Sequence, residues 1–424
     1  MRRKSFLYIV FLAGLAFLFS CEEEQVENNN ANLNESFYEL MNEMYLWYQE
    51  IPEITPSNYE NPREVLEEIR YEKDRWSYIT SYSSFVQYYQ EGAYVGYGFG
   101  TKWDATDTLR VSFVFDASPL NEKQITRGWA ITEVNGQAPE PGDNINELLG
   151  QSQVGVENQI VFESPGGRLV DTTMAKEELT MNTVLTDTVI QHAGSHVGYF
   201  ALKSFIDKTP DELTRVFDRF AGENIDELVV DLRYNGGGTM EGSRFMAEFI
   251  VNDSREGEPF VKVTHNDKKS GMDTTHVFGK DSLDLSLGLE RVYFIATQAT
   301  ASSSEALING LEPYMDVYII GQDTYGKPVG MYAYSDNSYR YAFVPVCFRL
   351  QNAEGNGDYF QGLPADVDAP DDLRHVFGNP QEASLHQALY HIENGAFDQT
   401  KAGVRSLPAN RVDYNSLQDE IGAH

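Results

Sequence analysis

Three short apolar runs, each followed by a turn of small or polar residues, constrain the fold more than any other feature of this sequence. They are Leu228–Leu232, Arg291–Ala296 and Val317–Ile320. Such runs are typical of buried strands. Helical patterns separate them, and one begins at Thr209, with Thr as N-cap, Pro in the first turn and Glu as box partner. Alternation of strands and helices predicts an α/β core over residues 181–395.

The region before this core has a helical pattern. Ser36 is followed three residues later by Glu39, which predicts a capping box and a helix start at Ser36. A second helix is predicted after Pro62. Residues 35–94 are therefore interpreted as an N-terminal helical cap, and their apolar residues as its packing face.

Residues 95–180 have short strand patterns and glycine-rich turns, in an order that resembles a PDZ domain of the bacterial type. That resemblance implies a groove in which an extended peptide adds a strand, while loop amides bind its terminal carboxylate. The peptide-binding residues are then Gly96, Tyr97, Gly98 and Phe99. Their G-x-G pattern follows no mononucleotide-binding strand–helix unit, so a dinucleotide site is rejected.

The first 21 residues have the pattern of a bacterial lipoprotein signal. Three basic residues precede an uncharged apolar run, which ends in Leu-Phe-Ser-Cys at Cys21. The pattern predicts lipidation of Cys21 and a lipid-anchored protein of the bacterial cell envelope, on the periplasmic or the cell-surface side. Residues 22–34 have no apolar period and are predicted to form a disordered tether. Residues 396–424 are predicted to form a peripheral C-terminal tail.

Composition excludes several classes of function. The formal net charge of −33 disfavours binding to nucleic acid. No H-E-x-x-H or Cys/His spacing predicts a metal site, and no cofactor is expected. Cys347 lies in an apolar run, which favours a buried structural thiol. The histidines near the C-terminal end of the core are interpreted as helix-surface or packing residues: His375, His386 and His391.

Three segments of the core carry residues suited to catalysis. The strand ending at Asp231 runs into Gly236–Gly238, and such a turn offers backbone amides to an oxyanion. A run of serines, 302–304, precedes a predicted helix whose N-terminus supplies positive potential. A lysine, Lys327, follows the next strand, and burial lowers a lysine pKa so that it can act as a base. The residues alone leave the choice among the three serines open.

Together the three segments, D-L-R-x-N-x-G-G, A-S-x-S-E and T-x-G-K, resemble the motifs of the C-terminal processing (tail-specific) serine peptidases, which use a Ser/Lys dyad. The resemblance implies Ser302 as nucleophile and Lys327, 25 residues later, as general base. It also implies that Gly237 and the amide of Ser303 form the oxyanion hole, and that Glu305 supports the site.

One residue departs from that motif. Many family members have Gln four residues after the lysine, whereas this chain has Met331, which is a poor hydrogen-bond partner.

The expected protein is thus a multidomain α/β (α+β) extracytoplasmic serine endopeptidase that hydrolyses loose or C-terminal segments of protein or peptide substrates. The alternative is a catalytically weak peptide-binding or scaffold lipoprotein on the same fold. The sequence predicts no oligomeric state.

Overall fold

The computed structural model describes residues 18–279, 285–403 and 416–424. Residues 1–17 of the predicted signal lie outside this part of the chain, and the lipidation of Cys21 stays a prediction. No helix in the described ranges is long and apolar enough to cross a membrane.

The N-terminal region is helical, as predicted, but its first helix begins earlier than Ser36. Residues 22–34, predicted to be a disordered tether, are helical here. The prediction of a start at Ser36 is wrong, because Leu33 and Asn34 are already buried and the Asn34 amide donates to the carbonyls of Pro56 and Tyr59 (3.2 and 2.7 Å). The elements are α1 (Leu18–Met44), α2 (Pro62–Ile69), β1 (Tyr78–Ser81) and α3 (Tyr82–Tyr89).

A second region, here called the β-domain (residues 93–180), contains a five-stranded antiparallel sheet and a separate two-stranded ribbon. The sheet follows chain order from β3 to β7, and β2 pairs with β8 in the ribbon. Its elements are β2 (Ala93–Gly96), β3 (Phe99–Trp103), β4 (Leu109–Val114), β5 (Ala130–Val134), α4 (Ile145–Leu148), β6 (Glu157–Glu163), β7 (Leu169–Ala175) and β8 (Glu177–Thr180).

The third region is the α/β core, and its predicted strands and helices are present. Its elements, in chain order, are β9 (Val184–His192), β10 (Ser195–Leu202), α5 (Thr209–Gly222), β11 (Glu227–Asp231), α6 (Met240–Ile250), β12 (Pro259–His265), β13 (Thr274–Val277), β14 (Arg291–Ala296), α7 (Ser303–Leu311), β15 (Asp316–Gly321), β16 (Val329–Met331), β17 (Tyr334–Ser335), β18 (Tyr341–Val344), β19 (Val346–Gln351), β20 (Val367–Asp368), α8 (Ala383–Asn394) and α9 (Leu417–Ile421).

The main sheet of the core has the order β20-β15-β14-β11-β10-β9. All neighbouring strands are parallel except β9, which runs antiparallel at one edge. Helices α5, α6 and α7 contribute their apolar residues to the core on one face, and α8 packs on the other. Strands β11, β14 and β15 are consecutive neighbours, so the turns at their carboxyl ends meet at one edge of the sheet, where ligands bind in α/β folds.

The start of α5 differs from the prediction. Its N-cap is Lys208 rather than Thr209. The Thr209 hydroxyl donates to Ser204 O and accepts from Ile206 N–H, and the Glu212 carboxylate accepts from Thr183. The Thr209 hydroxyl is thus bonded to the residues just before the helix and Glu212 to a distant strand, so the predicted capping box is absent.

The contacts between the three regions include a strand pair and the packing of the last described segment. Strand β1 of the N-terminal region pairs antiparallel with β18 of the core, from Tyr78 opposite Val344 to Ser81 opposite Tyr341. The end of the chain, 416–424, packs between the other regions. The prediction of a peripheral tail is wrong for this segment, because its apolar residues are buried against aromatic and aliphatic side chains.

Candidate active site

The three segments predicted to carry catalysis meet in one cavity of about 460 Å³. Ser302 and Ser303 line it at the N-terminal end of α7, and Lys327 lines it between β15 and β16. Gly236 and Gly238, from the turn after β11, form another part of its wall. The turns that follow three strands of the main sheet therefore contribute to one site.

Ser302 has an unusual backbone conformation, with φ 58° and ψ −118°. A non-glycine residue with positive φ is strained, and such strain is common at functional sites. The two neighbouring hydroxyls are committed elsewhere: Ser303 Oγ donates to Gly238 O (2.7 Å) and Ser304 Oγ to Asn235 O (3.1 Å). Ser304 is also fully buried. The geometry therefore favours Ser302 among the three serines.

The Glu305 carboxylate connects the serine segment to the lysine segment. It is completely buried, and one oxygen accepts from Ser302 N–H (2.9 Å) and Lys327 N–H (2.8 Å). The other oxygen accepts from Gly326 N–H (2.6 Å) and the Thr324 hydroxyl (2.5 Å). Burial raises the pKa of Glu305, and these four donors oppose the rise. Glu305 thus fixes the backbone of both predicted catalytic residues.

Lys327 is 3% exposed and follows a turn that requires glycine. Gly326 has φ +92°, and a Cβ there would lie 2.6 Å from both Phe360 O and Gly362 N. Met331, which replaces the expected Gln, is half-buried and lines the same cavity as Lys327. The role expected of position 331 at the site stays a prediction.

The glycine turn differs from the expected oxyanion hole in one donor. Gly237 has φ +109° and lies against the serine segment, where a Cβ would approach the Ser302 Cβ to 2.7 Å. Its N–H, however, donates to the Asn235 side chain (2.9 Å), so Gly237 offers no free donor in this structure. Within the described part of the chain, the N–H groups of Ser303 and Gly238 have no acceptor.

Sequence reasoning missed the buried charge network behind that turn. Arg233 is 1% exposed and pairs with Asp231 (2.8 Å), Asp371 (2.9 Å) and Glu382 (2.8 Å). These charges raise the pKa of Arg233 against the opposing effect of burial. The charged D-L-R within an apolar strand indicated Asp231, but the other two partners, Asp371 and Glu382, are 138 and 149 residues away in the sequence.

The network also reaches the β-domain. Arg127 donates to Asp371 (2.7 Å) and to the Tyr234 hydroxyl (2.6 Å), and Tyr234 donates to the other oxygen of Asp371 (2.6 Å). Burial opposes ionisation of Asp371, but the positive charges of Lys102, Arg127 and Arg233 hold its pKa well below the usual range. The β-domain is thereby attached to the residues that precede the glycine turn.

The predicted peptide-binding residues form a separate site from the catalytic cavity. Tyr97 and Gly98 connect β2 and β3, and their N–H groups donate to the carbonyl oxygen of His424 (2.6 and 2.9 Å). Gly96 lies against the same carbonyl group, and Phe99 O accepts from His424 N–H (2.8 Å). His424 was not singled out from the sequence.

The other residues considered from the sequence have structural partners. His391 contacts the Tyr293 hydroxyl (2.9 Å) and His386 contacts Asp398 (3.2 Å), both from α8. His375 lies before α8 and contacts Asp372 (2.6 Å). Cys347 is buried, and burial raises the pKa of its thiol to about 12, which agrees with a structural role.

Comparison with known proteins agrees with this geometry. Residues 196–343 match "Peptidase family S41", and residues 32–78 match "Peptidase S41 N-terminal domain". The chain carries S41 peptidase domains. The first match includes both Ser302 and Lys327, and the second covers the C-terminal half of α1, all of α2 and the first residue of β1.

Similar proteins are serine proteases by name. A "Probable CtpA-like serine protease" of Staphylococcus aureus is 23% identical over 311 residues, which are 72% of this chain and 58% of that protein. A namesake from Staphylococcus saprophyticus is 22% identical over 52% of this chain and 42% of its own length. This chain thus spans about half the length of these curated relatives.

Two solved structures share the fold. A "Putative S41 protease" from Bacteroides fragilis superposes with TM-score 0.72 and 24% identity, over 85% of this chain and 97% of the other. The "photosystem II D1 C-terminal processing protease" gives TM-score 0.51 and 18% identity, over 80% and 93% of the two chains. The predicted α/β fold with an N-terminal helical region is therefore confirmed.

Proposed function

We propose that this chain is a serine endopeptidase in which Ser302 is the nucleophile and Lys327 the general base. The observation that carries the proposal is the conformation of Ser302. Its positive φ places it at the wall of a cavity shared with a buried lysine, while the hydroxyls of Ser303 and Ser304 are bonded to backbone carbonyls. The region that matches the S41 peptidase family spans both residues.

In this mechanism Lys327 accepts the Ser302 hydroxyl proton as Oγ attacks the carbonyl carbon of a peptide bond. The oxyanion is stabilised by N–H groups at the N-terminus of α7 and in the glycine turn, of which Ser303 and Gly238 have free donors. Lys327 then protonates the leaving amine, and water hydrolyses the acyl-enzyme. Burial of Lys327 supports the role, because desolvation disfavours an ammonium ion.

The experiment is cleavage of β-casein, an unstructured polypeptide, by purified protein. Ser302→Ala and Lys327→Ala should each abolish cleavage, and the double variant should be no worse than either, since residues that act as a unit are not additive. Lys401→Ala, at an exposed lysine, is the matched control. Retained turnover in Lys327→Ala would refute the base assignment, and inactive but peptide-binding wild-type protein would favour the scaffold alternative.

We also propose that substrates are loose or C-terminal segments of proteins, and that the PDZ-like β-domain captures their ends. The contacts of Tyr97, Gly98 and Phe99 with the main chain of His424 support this, because they are the bonds that a strand added to a groove would make. Cleavage of a substrate should then slow when its C-terminus is amidated. Unchanged cleavage would show that the groove does not read chain ends.

A location outside the cytoplasm, with a lipid on Cys21, is proposed from the sequence pattern alone. Mass spectrometry of the membrane fraction should detect a lipidated N-terminal Cys21, and Cys21→Ser should release the protein from the membrane. An unmodified mature N-terminus at another residue would contradict the proposal.

A further inference from the structure

The groove of the β-domain is filled by the chain itself. Residues 416–424 comprise the short helix α9 and the extended residues after it, and Leu417, Ile421 and Ala423 are at most 6% exposed. They belong to one apolar cluster with residues from all three regions of the molecule, including Tyr78, Tyr88, Tyr94, Phe113, Phe115 and Val344. This segment is therefore packed as firmly as an ordinary core element.

The main chain of His424 uses the hydrogen-bonding groups of the groove. Its carbonyl oxygen accepts from Tyr97 N–H (2.6 Å), Gly98 N–H (2.9 Å) and the Tyr94 hydroxyl (3.3 Å), while its N–H donates to Phe99 O (2.8 Å). These donors would otherwise be available to an incoming peptide. A second peptide end cannot bind there while His424 is in place, because the same N–H groups are already engaged.

The imidazole of His424 is held in a defined orientation. Nδ1 lies 2.9 Å from the Asn146 side-chain oxygen, and Nε2 lies 2.8 Å from the Thr101 hydroxyl. An amide oxygen can only accept, so Nδ1 carries the proton and Nε2 accepts from Thr101. The ring also meets Phe99 edge-on, at 6.1 Å between ring centroids. The groove thus has specific partners for a neutral histidine side chain.

The occupied groove borders the approach to the catalytic cavity. Gln418, Gly422 and His424 line a second cavity of about 340 Å³, whose wall also includes Gly236. Gly236 lines the catalytic cavity as well. A peptide that replaced residues 416–424 would therefore lie near the turn that faces the reacting bond.

We propose that residues 416–424 are an internal ligand of the β-domain groove, which a substrate end must displace before it can bind. This inference rests on the proposed function for the kind of ligand, a peptide end. It adds a resting state that excludes substrate, and a ligand class: peptides with an apolar residue three positions before a histidine, as Ile421 stands before His424. A tethered segment competes at an effective concentration of about millimolar, so only well-matched ends displace it.

The test measures binding on inactive protein, so that it does not depend on cleavage. The probe is a fluorescent peptide with the sequence of residues 416–424, SLQDEIGAH, and the proteins are Ser302→Ala with and without these residues. By fluorescence anisotropy, the shortened protein should bind the probe at least about tenfold more tightly. Equal affinities, or no binding to a shortened protein with a native circular dichroism spectrum, would overturn the proposal.

A second variant covers the case in which the shortened protein does not fold. His424→Ala in the full Ser302→Ala chain keeps Leu417 and Ile421, and should raise probe affinity a fewfold. The matched control is His192→Ala, at a histidine of β9 that pairs with Glu393. A probe ending in Ala instead of His should bind more weakly. If neither His424→Ala nor the altered probe changes binding, the assignment of the groove to this segment is wrong.

Activity assays separate this inference from the proposed function. In the active background, removal of residues 416–424 should increase the rate of casein cleavage. Probe binding as expected without cleavage by any variant would refute the peptidase and leave the internal ligand standing. The opposite result is cleavage by the full chain that does not change when residues 416–424 are removed, together with equal probe affinities. It would refute the internal ligand and leave the peptidase standing.

Discussion

The catalytic cavity and the β-domain groove are built in opposite ways. At the cavity, a buried carboxylate and a buried charge network fix the backbone, through Glu305 and Arg233. At the groove, the contacts are made by another segment of the same chain, through the main chain of His424. Under the two proposals above, the reacting groups are therefore held in place before substrate binds, whereas the segment in the groove can be exchanged for a substrate end.

Replacing Arg233 should have the largest effect, because it removes the cation of the charge network behind the catalytic cavity. Arg233→Met leaves the Asp231, Asp371 and Glu382 carboxylates buried without their shared cation, at a cost of about 3–5 kcal/mol in the free energy of unfolding. The loss in the free energy of unfolding is measured by urea denaturation.

The control is Arg255→Met, at a surface pair with Glu258 that should contribute about 0–1 kcal/mol. Similar losses in the two variants would show that the network is not a special support of the site.

Glu305→Gln should reduce catalysis while leaving binding nearly unchanged. A glutamine has one acceptor oxygen, so its NH₂ would face two of the four N–H and O–H donors that the carboxylate now accepts from. A displacement of about 1 Å at the nucleophile costs about 10²-fold in rate.

We expect that loss in kcat with little change in KM for a peptide substrate. Glu256→Gln, at an exposed position, is the control. A rise in KM with unchanged kcat would place Glu305 in substrate binding instead of positioning.

Low pH should weaken the docking of His424 in the groove of the β-domain. Burial lowers the pKa of His424 to about 4 from 6.5, and the positive charge of Lys176 contributes; Lys102 and Lys203 line the same cavity. Because the docked histidine has the lower pKa, docking is at full strength above about pH 6.5 and weakens as the pH falls towards 4.

Hydrogen exchange should show this as reduced protection of the Tyr97 and Gly98 amides at pH 5 relative to pH 7, after correction for intrinsic rates. The pH effect should disappear in His424→Ala. Protection that is independent of pH in the wild-type chain would contradict docking of a neutral imidazole.

Met331→Gln should have the smallest effect, a fewfold rise in turnover. Glutamine at the cavity wall could accept a hydrogen bond from an amine, and loss of a positioned proton-transfer group costs about 10²–10⁴-fold, of which only part is recoverable here. The control is Met272→Gln, at an exposed methionine. A decrease would show that Met331 contributes by packing.

The sequence predicted the elements that depend on local pattern. The strands before Gly236, Ser302 and Lys327 have apolar runs, and their order in the sheet brings the following turns together. The identity of the nucleophile needed the family motif, and the structure supports it through the Ser303 and Ser304 hydroxyl contacts.

Features that depend on distant residues could not be predicted. The partners of Arg233 and the ligand of Tyr97 lie far along the chain, and no local pattern encodes such pairs. The absent capping box at Thr209 has the same origin in its second half, since the Glu212 carboxylate accepts from Thr183, 29 residues away. The Gly237 N–H donates to the Asn235 side chain, and this bond depends on the Asn235 rotamer, which a sequence motif does not specify.

The pairing of β1 with β18 sets the order in which the molecule can be completed. Near it, Val346 N–H donates to Ser77 Oγ, 269 residues away in the sequence, and Ala301, beside the nucleophile, belongs to the apolar cluster of the N-terminal helices. Contacts of such long range form late, because closing the intervening loop costs entropy first. After dilution from urea, helical circular dichroism should therefore return before the proposed hydrolytic activity. A newly made chain of this design would pass through an inactive stage before it becomes a peptidase.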